Sequence, residues 1–198
     1  MELQTIADKS YTDKRVFLRV DFNVPMENGN IIDDTRIRAA IPTIKSLLQK
    51  GASLIITSHL GRPKGKVVPE MSLKPVSEKL SELISREVKF LSACVGQEVK
   101  SAVESLKSGE IILLENLRFH KEEEDGDENF AKELASFADC YVNDAFGTCH
   151  RKHASVYGIT KFFEDVAAGY LIEQETSALS KLLKNSKRPF LLILGGAK

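Results

Sequence analysis

The sequence predicts an α/β protein built on a doubly wound parallel sheet with helices layered on both faces. Three observations carry that expectation. Apolar runs of strand length alternate along the chain with segments of helical period. Several of those runs are apolar at nearly consecutive positions, as strands covered on both faces must be. Polar and charged residues gather just past the ends of the runs, where open parallel sheets hold their ligands.

Taken in order, strands are predicted at 15–24 (RVFLRVDFNV), 53–59 (SLIITSH), 88–91 (VKFL), 111–117 (IILLENL), 140–146 (CYVNDAF) and 190–196 (FLLILGG). Between the first two, TRIRAAIPTIKSLLQKG (35–51) sets Ile37, Ala40, Ile41, Ile44, Leu47 and Leu48 on one helical face. It ends at Gly51, suited to a left-handed helix stop, while Pro42 inside it predicts a kink or a late start. SLKPVSEKLSELISR (72–86) opens on a capping serine with a proline in its first turn. Segments 97–109 and 127–138 have the same helical pattern. Right-handed crossovers through these helices give a Rossmann-like, three-layer α/β/α sandwich.

The acidic run EEEDGDE (122–128) lacks the alternating ligand spacing of an EF-hand. It reads as a solvated loop whose last acids favour the N-terminus of the next helix. After residue 168 the pattern changes: 169–189 is a long amphipathic helix closed by Pro189, and the last apolar run begins a new unit. The expected organisation is an anion-binding domain over 1–168, an interdomain helix over 169–187, and the first strand of a second domain over 188–198.

Lysine plus arginine balances aspartate plus glutamate at 28 each, which gives a general nucleic-acid or membrane-surface role no support. No apolar run approaches the ~20 residues of a membrane span. The N-terminus has no signal-peptide core. Cys94, Cys140 and Cys149, odd in number and irregular in spacing, read as reduced thiols. A soluble, cytoplasmic chain is the expectation.

The strand ends carry the chemistry. The first ends in Asp21 and Asn23, and the second runs into SHLGRPKG with His59, Arg62 and Lys64. The fourth runs into ENLRFHK with Asn116, Arg118 and His120, and the fifth into NDAFGTCHRKH with Asn143, Asp144, His150, Arg151 and His153. Arg62, Arg118 and Arg151 therefore converge on one sheet edge, and Arg36 can join them from the start of the first helix. Several guanidinium forks together suit a small, multiply charged anion. Asp21 and Asn23, two apart, point to one face and offer hydrogen bonds to a hydroxyl. The plainer alternative pairs each arginine with a surface carboxylate.

Weaker constellations stand beside this one. Cys149, His150 and His153 lack a standard zinc spacing, and Cys149–His150 is a poor nucleophile pair because neighbours point apart. Asp33 and Asp34 read as a helix cap. Glu115 is either a general base or a structural strand-end residue. The terminal GGAK lacks the full P-loop pattern.

RVDFNVP (19–25), SHLGRPKG (58–65), LENLRFHKEE (114–123), YVNDAFGTCHRKHAS (141–155) and LLILGGAK (191–198) resemble the phosphoglycerate kinase family, in order and along the whole chain. Cys149 departs from the alanine more usual there. The resemblance implies two Rossmann-like domains joined by a helix, the first binding 3-phosphoglycerate or 1,3-bisphosphoglycerate and the second Mg2+ with ADP or ATP. It implies that Asp21 and Asn23 hold the glycerate hydroxyl and carboxyl end. His59, Arg62, Arg118 and Arg151 would surround the non-transferring 3-phosphate. Arg36 would reach the transferring group from one side of the cleft and Lys198 from the nucleotide side. Members of that family are considerably longer. The implied reading is thus the glycerate-binding half of a monomeric glycolytic kinase, inactive alone. The alternative is a stand-alone anion or sugar-phosphate binding module.

Overall fold

The computed structural model describes residues 3–7, 9–184, 190, 191, 193 and 195. Six strands form one wholly parallel sheet: β1 (Arg15–Val20), β4 (Ser53–Thr57), β5 (Lys89–Leu91), β6 (Ile111–Leu114), β7 (Cys140–Asp144) and β8 (Val166–Ala168). Their spatial order is β5-β6-β4-β1-β7-β8, so β1 lies at the centre with β4 on one side and β7 on the other. The register sets Arg19 beside Thr57 and Asn143.

The near-continuous apolar runs split by parity into two cores, as a strand's period of two requires. Val16, Leu18, Leu54, Ile56, Leu113 and Val142 pack beneath α1 (Thr35–Gln49) and α2 (Lys74–Ile84). On the opposite face Phe17, Ile55, Ile112, Leu114 and Tyr141 meet α3 (Gln97–Glu104) and α5 (Glu128–Ala135). The expected doubly wound architecture is thereby present. The chain leaves β8 through Gly169 into α6 (Tyr170–Lys184), whose Tyr170 joins the α1 side.

Local signals act largely as expected. Gly51 takes φ +83° after α1, and its N–H reaches the Leu48 carbonyl at 3.0 Å. Asp127 caps α5 by accepting from the Phe130 N–H at 2.8 Å. Four features differ. First, α1 begins at Thr35 and runs through Pro42 without a late start, because the lost N–H removes a single bond from a well-buried helix. Second, β2 (Met26–Glu27) and β3 (Asn30–Ile31) form a hairpin about Asn28 and Gly29, both at positive φ, which is the chemistry of a primed turn. Third, β8 is three residues long and two of them are alanine, too short to stand out in sequence.

The fourth difference is in the acidic run. It is not a uniformly solvated loop, since Lys121–Asp125 form α4 and Glu123 is fully buried. The strand expected at 190–196 and the division at 188 fall largely outside the described residues, and Lys198 lies wholly outside them.

Candidate functional site

The carboxyl ends of β1, β4, β6 and β7 open onto one cavity of about 260 Å³. Asp21, Asn23, Arg36, His59, Arg62, Arg118 and Arg151 all line it, together with Gly61, Gly147 and Thr148. Every expected site residue within the described chain is therefore brought to one place. Four guanidinium groups face a single carboxylate there.

Backbone and amide contacts hold the rim in shape. Asn116, fully buried after β6, accepts from the N–H groups of Leu60 and Arg118 at 3.2 and 3.1 Å. Its amide donates to the carbonyls of Leu60 and Met71 at 2.7 and 2.9 Å. One side chain thus clamps the loop after β4 to the turn carrying Arg118. Gly61, at φ +62°, donates its N–H to Asn23 Oδ1 at 2.8 Å, and its carbonyl accepts from Arg118 Nη1 at 2.8 Å. Asp21 accepts from the Asn23 N–H through Oδ1 and pairs with Arg36 Nη1 through Oδ2.

Glu115 takes the structural role of its two readings. Its carboxylate accepts from Ser72 Oγ at 2.7 Å and from the N–H groups of Leu73 and Asn116 at 2.8 and 2.7 Å. It anchors the start of α2 and has no place in the cavity lining.

The cavity's electrostatics follow from burial beneath several cations. Arg118 is only 5% exposed; its Nε has no hydrogen-bond partner and lies 3.5 Å from Glu124. Burial pushes its pKa down, Glu124 opposes this, and Arg151 and Arg19 add to it. An arginine stays charged regardless, so Arg118 is a cation short of compensation. Burial pushes the His59 pKa far below its ordinary value, and the charges of Arg19, Arg118, His153 and Arg36 reinforce that. Both effects favour the neutral ring.

Two buried residues escaped the reading of the sequence. Arg19 has no exposed surface, although it sits on the central strand. Its Nε donates to Ser155 Oγ at 3.0 Å, its Nη1 to the Val20 carbonyl, and its Nη2 faces His59 Nδ1 at 3.1 Å. Ser155 in turn donates from Oγ and N–H to the two carboxylate oxygens of Glu123, at 2.6 and 2.9 Å. A charged residue inside a strand covered on both faces must find a partner, and that was the available signal for Arg19.

The remaining candidates separate. His153 is buried with Nδ1 3.7 Å from Glu123, whereas Cys149 and His150 are exposed, so those three do not converge. His120 stacks near Phe130, with ring centroids 5.0 Å apart. Asp144 turns away to α6 and accepts from the Leu171 N–H at 2.8 Å. Among the described residues no group of three or more His, Cys, Asp or Glu side chains is placed to hold a metal ion. No helix among them is long and apolar enough to cross a membrane. A larger hollow of about 570 Å³ between the β2–β3 hairpin and α2 has Lys79 among its lining but no cluster of cations.

The phosphoglycerate kinase family model matches residues 6–198. A phosphoglycerate kinase from Aquifex aeolicus is 55% identical over 98% of this chain and 49% of its own length. One from Chloroherpeton thalassium is 52% identical over all of this chain and 50% of its own. Among solved structures, the phosphoglycerate kinase of Coxiella burnetii superposes with a TM-score of 0.85 at 37% identity, covering 95% of this chain and 47% of that one. That of Pyrococcus horikoshii OT3 gives 0.86 at 35% identity, covering 94% and 47%. The chain spans about half the length of the curated relatives it matches. A parallel sheet with this strand order, an arginine-lined cavity at its carboxyl edge and a family match that spans residues 6–198 lead to one assignment: the chain belongs to the phosphoglycerate kinase family.

Proposed function

We infer that the cavity is the 3-phosphoglycerate or 1,3-bisphosphoglycerate site of an enzyme that transfers a phosphoryl group reversibly between 1,3-bisphosphoglycerate with ADP and 3-phosphoglycerate with ATP. The observation that carries this is the meeting of Arg36, Arg62, Arg118 and Arg151 with His59, Asp21 and Asn23 around a space of about 260 Å³. That space suits a three-carbon acid, and the excess of guanidinium groups suits an anion with more than one charge.

The residues divide by chemistry. Arg62, Arg118, Arg151 and His59 supply donors for the phosphate that stays on the glycerate. The amide of Asn23 and the carboxylate of Asp21 bind the carboxyl end and the hydroxyl. Arg36, half exposed and paired only with Asp21, is free to turn toward the reacting carboxyl or acyl phosphate. Positive charge placed there stabilises the equatorial oxygens of the group in flight, and phosphoryl transfer asks little more of a protein than alignment and charge. A carboxylate is already a nucleophile, so no general base is required.

Mg2+, the nucleotide and the Lys198 contact come from the family resemblance. The cationic cavity does not suit Mg2+. In this reading α6 links the glycerate unit, which ends at residue 168, to a second, nucleotide-binding one that begins at 188. A cytoplasmic, monomeric enzyme is what the family resemblance implies, and the balanced charge gives nucleic-acid or membrane-surface partners no support.

Calorimetry with 3-phosphoglycerate, glycerate and inorganic phosphate tests the assignment. The 198-residue chain is expected to bind 3-phosphoglycerate more tightly than either part. Arg62→Ala or Arg151→Ala should weaken binding several-fold or more. The same chain is expected to form no ATP from 1,3-bisphosphoglycerate and ADP. Equal affinity for glycerate and 3-phosphoglycerate would overturn the phosphate assignment, and turnover by the chain alone would overturn the division of labour.

A further inference from the structure

His59 is the only uncharged ring among the cavity's donors, and its protonation pattern is fixed from below. Arginine carries N–H donors and no acceptor. Arg19 Nη2 lies 3.1 Å from His59 Nδ1, so Nδ1 must be the bare, accepting nitrogen. The ring proton then sits on Nε2, and the ring lines the cavity.

Arg19 is itself held on three sides. Ser155 Oγ and the Val20 carbonyl accept from its other nitrogens, and the Ser155 hydroxyl ends on Glu123. Arg19 and Glu123 are both fully buried, which removes the water that would otherwise let the guanidinium reorient. A cation in this position would be costly without a task or a counter-charge, and Glu123 supplies the counter-charge.

We propose that Arg19 is a positioning residue that holds His59 as its Nε2–H tautomer, presenting one N–H donor to an oxygen of the bound phosphate. The proposal rests on the anion reading of the cavity and assigns a part to a residue outside its lining. The groups around His59 all favour the neutral ring except the acids. Arg19 lies beneath it on β1, Arg36 on α1, Arg118 after β6 and His153 beyond β7. Arg62 and Arg151 share the cavity wall, Asp21 is its only lining carboxylate, and Glu123 stands behind Ser155. Cavity charge toward the ligand is therefore set by arginines that do not titrate. Any change of affinity near neutral pH then comes from the ligand's own phosphate, whose second pKa is about 6.

The test is nitrogen NMR on the ligand-free, 15N-labelled chain. The expected spectrum shows His59 with a protonated Nε2 and a bare Nδ1 from about pH 5.5 to 8.5, and a coupling across the hydrogen bond between Arg19 Nη2 and Nδ1. Arg19→Lys, which keeps a cationic donor, should preserve the tautomer. Arg19→Met combined with Glu123→Gln removes the donor together with its counter-charge. It should release the ring to a tautomer mixture or to titration near the usual histidine value of about 6.5, and weaken 3-phosphoglycerate binding about tenfold. A proton on Nδ1 in the parent chain, or a folded double variant with an unchanged ring, would overturn the proposal. The parent measurement needs no variant to fold. Failure of 3-phosphoglycerate to bind while the ring stays locked would instead overturn the ligand reading.

Discussion

The Asp144 carboxylate accepts a hydrogen bond from the backbone N–H of Leu171 at 2.8 Å, joining the end of β7 to the first turn of α6. Its Oδ1 also receives the Ile172 N–H at 3.3 Å, whereas Oδ2 is buried without a partner. A side chain on Gly169 would have to place its Cβ 2.4 Å from the Asp144 Cγ, so this junction also dictates the glycine between β8 and α6. Burial holds the Asp144 carboxyl above its ordinary range, against the opposing influence of the nearby Thr43 hydroxyl and the bonds from Ile172 and Leu171.

The sign of the pH effect follows. The folded state holds the Asp144 proton more tightly than the unfolded state, so this contribution to stability is present below the unfolded pKa and is lost as pH rises through the folded one. Asp144→Asn keeps the accepting oxygen and carries no charge. Its stability relative to the parent should increase from about pH 3 to pH 7, measured by urea denaturation across that range. A flat or falling difference would contradict the burial argument.

Glu123 has the opposite sign. Burial alone would raise its pKa, yet the His153 ring 3.7 Å away, the charge of Arg19 and the hydrogen bonds from Ser155 hold it below the ordinary range. Its contribution is present above the unfolded pKa and lost as pH falls through the folded one. Glu123→Gln leaves Arg19 buried without its counter-charge and should cost about 3–5 kcal/mol at pH 7. The loss should shrink on acidification; a variant as stable as the parent at pH 7 would remove Glu123 from the network.

Asn116→Ala removes all four hydrogen bonds of the clamp and leaves buried backbone groups unpaired. A stability loss of about 2–4 kcal/mol is expected, with weaker 3-phosphoglycerate binding because Gly61 and Arg118 lose their mutual register. Crystallography and calorimetry on the variant would check both. An unchanged affinity would mean that the Arg118–Gly61 bond suffices to hold the rim.

Lys50 ties down the N-terminal segment by donating to the carbonyls of Ile6, Ala7 and Lys9. Lys50→Met should speed amide exchange at Ile6, whose N–H reaches the Ala168 carbonyl at 3.1 Å, with a global cost of about 1 kcal/mol. Mass-resolved exchange would show it, and unaltered protection would assign that edge pairing to the sheet alone.

Much of this molecule is legible in its sequence because strand length and helical period differ so plainly. The residues at the strand ends were legible too, since a parallel sheet brings its carboxyl ends together whatever the crossovers between them. Arg19 was hidden by the apolar company of RVFLRV, where a lone charge reads as noise in a hydrophobic run. Glu123 was hidden by the reverse effect, one buried acid among solvated ones. The Asn28–Gly29 hairpin carried a recognisable turn pair that the wider alternation obscured. Asp144 and Gly169 meet only through folding, and no local pattern announces such a pair.

The central place of β1 has a kinetic consequence. Its neighbours are β4, nearby in the chain, and β7, which follows only after three more strands of the sheet and their helices have been crossed. Pairing Arg19 with Asn143 closes a very long loop, and non-local closures of this kind slow folding. Until it happens, Arg151 and Thr148 have no fixed place opposite Asp21 and His59. On the proposed reading of the cavity, a chain emerging from the ribosome would lack a complete anion site through most of its synthesis, and the onset of 3-phosphoglycerate binding would time the docking of β7.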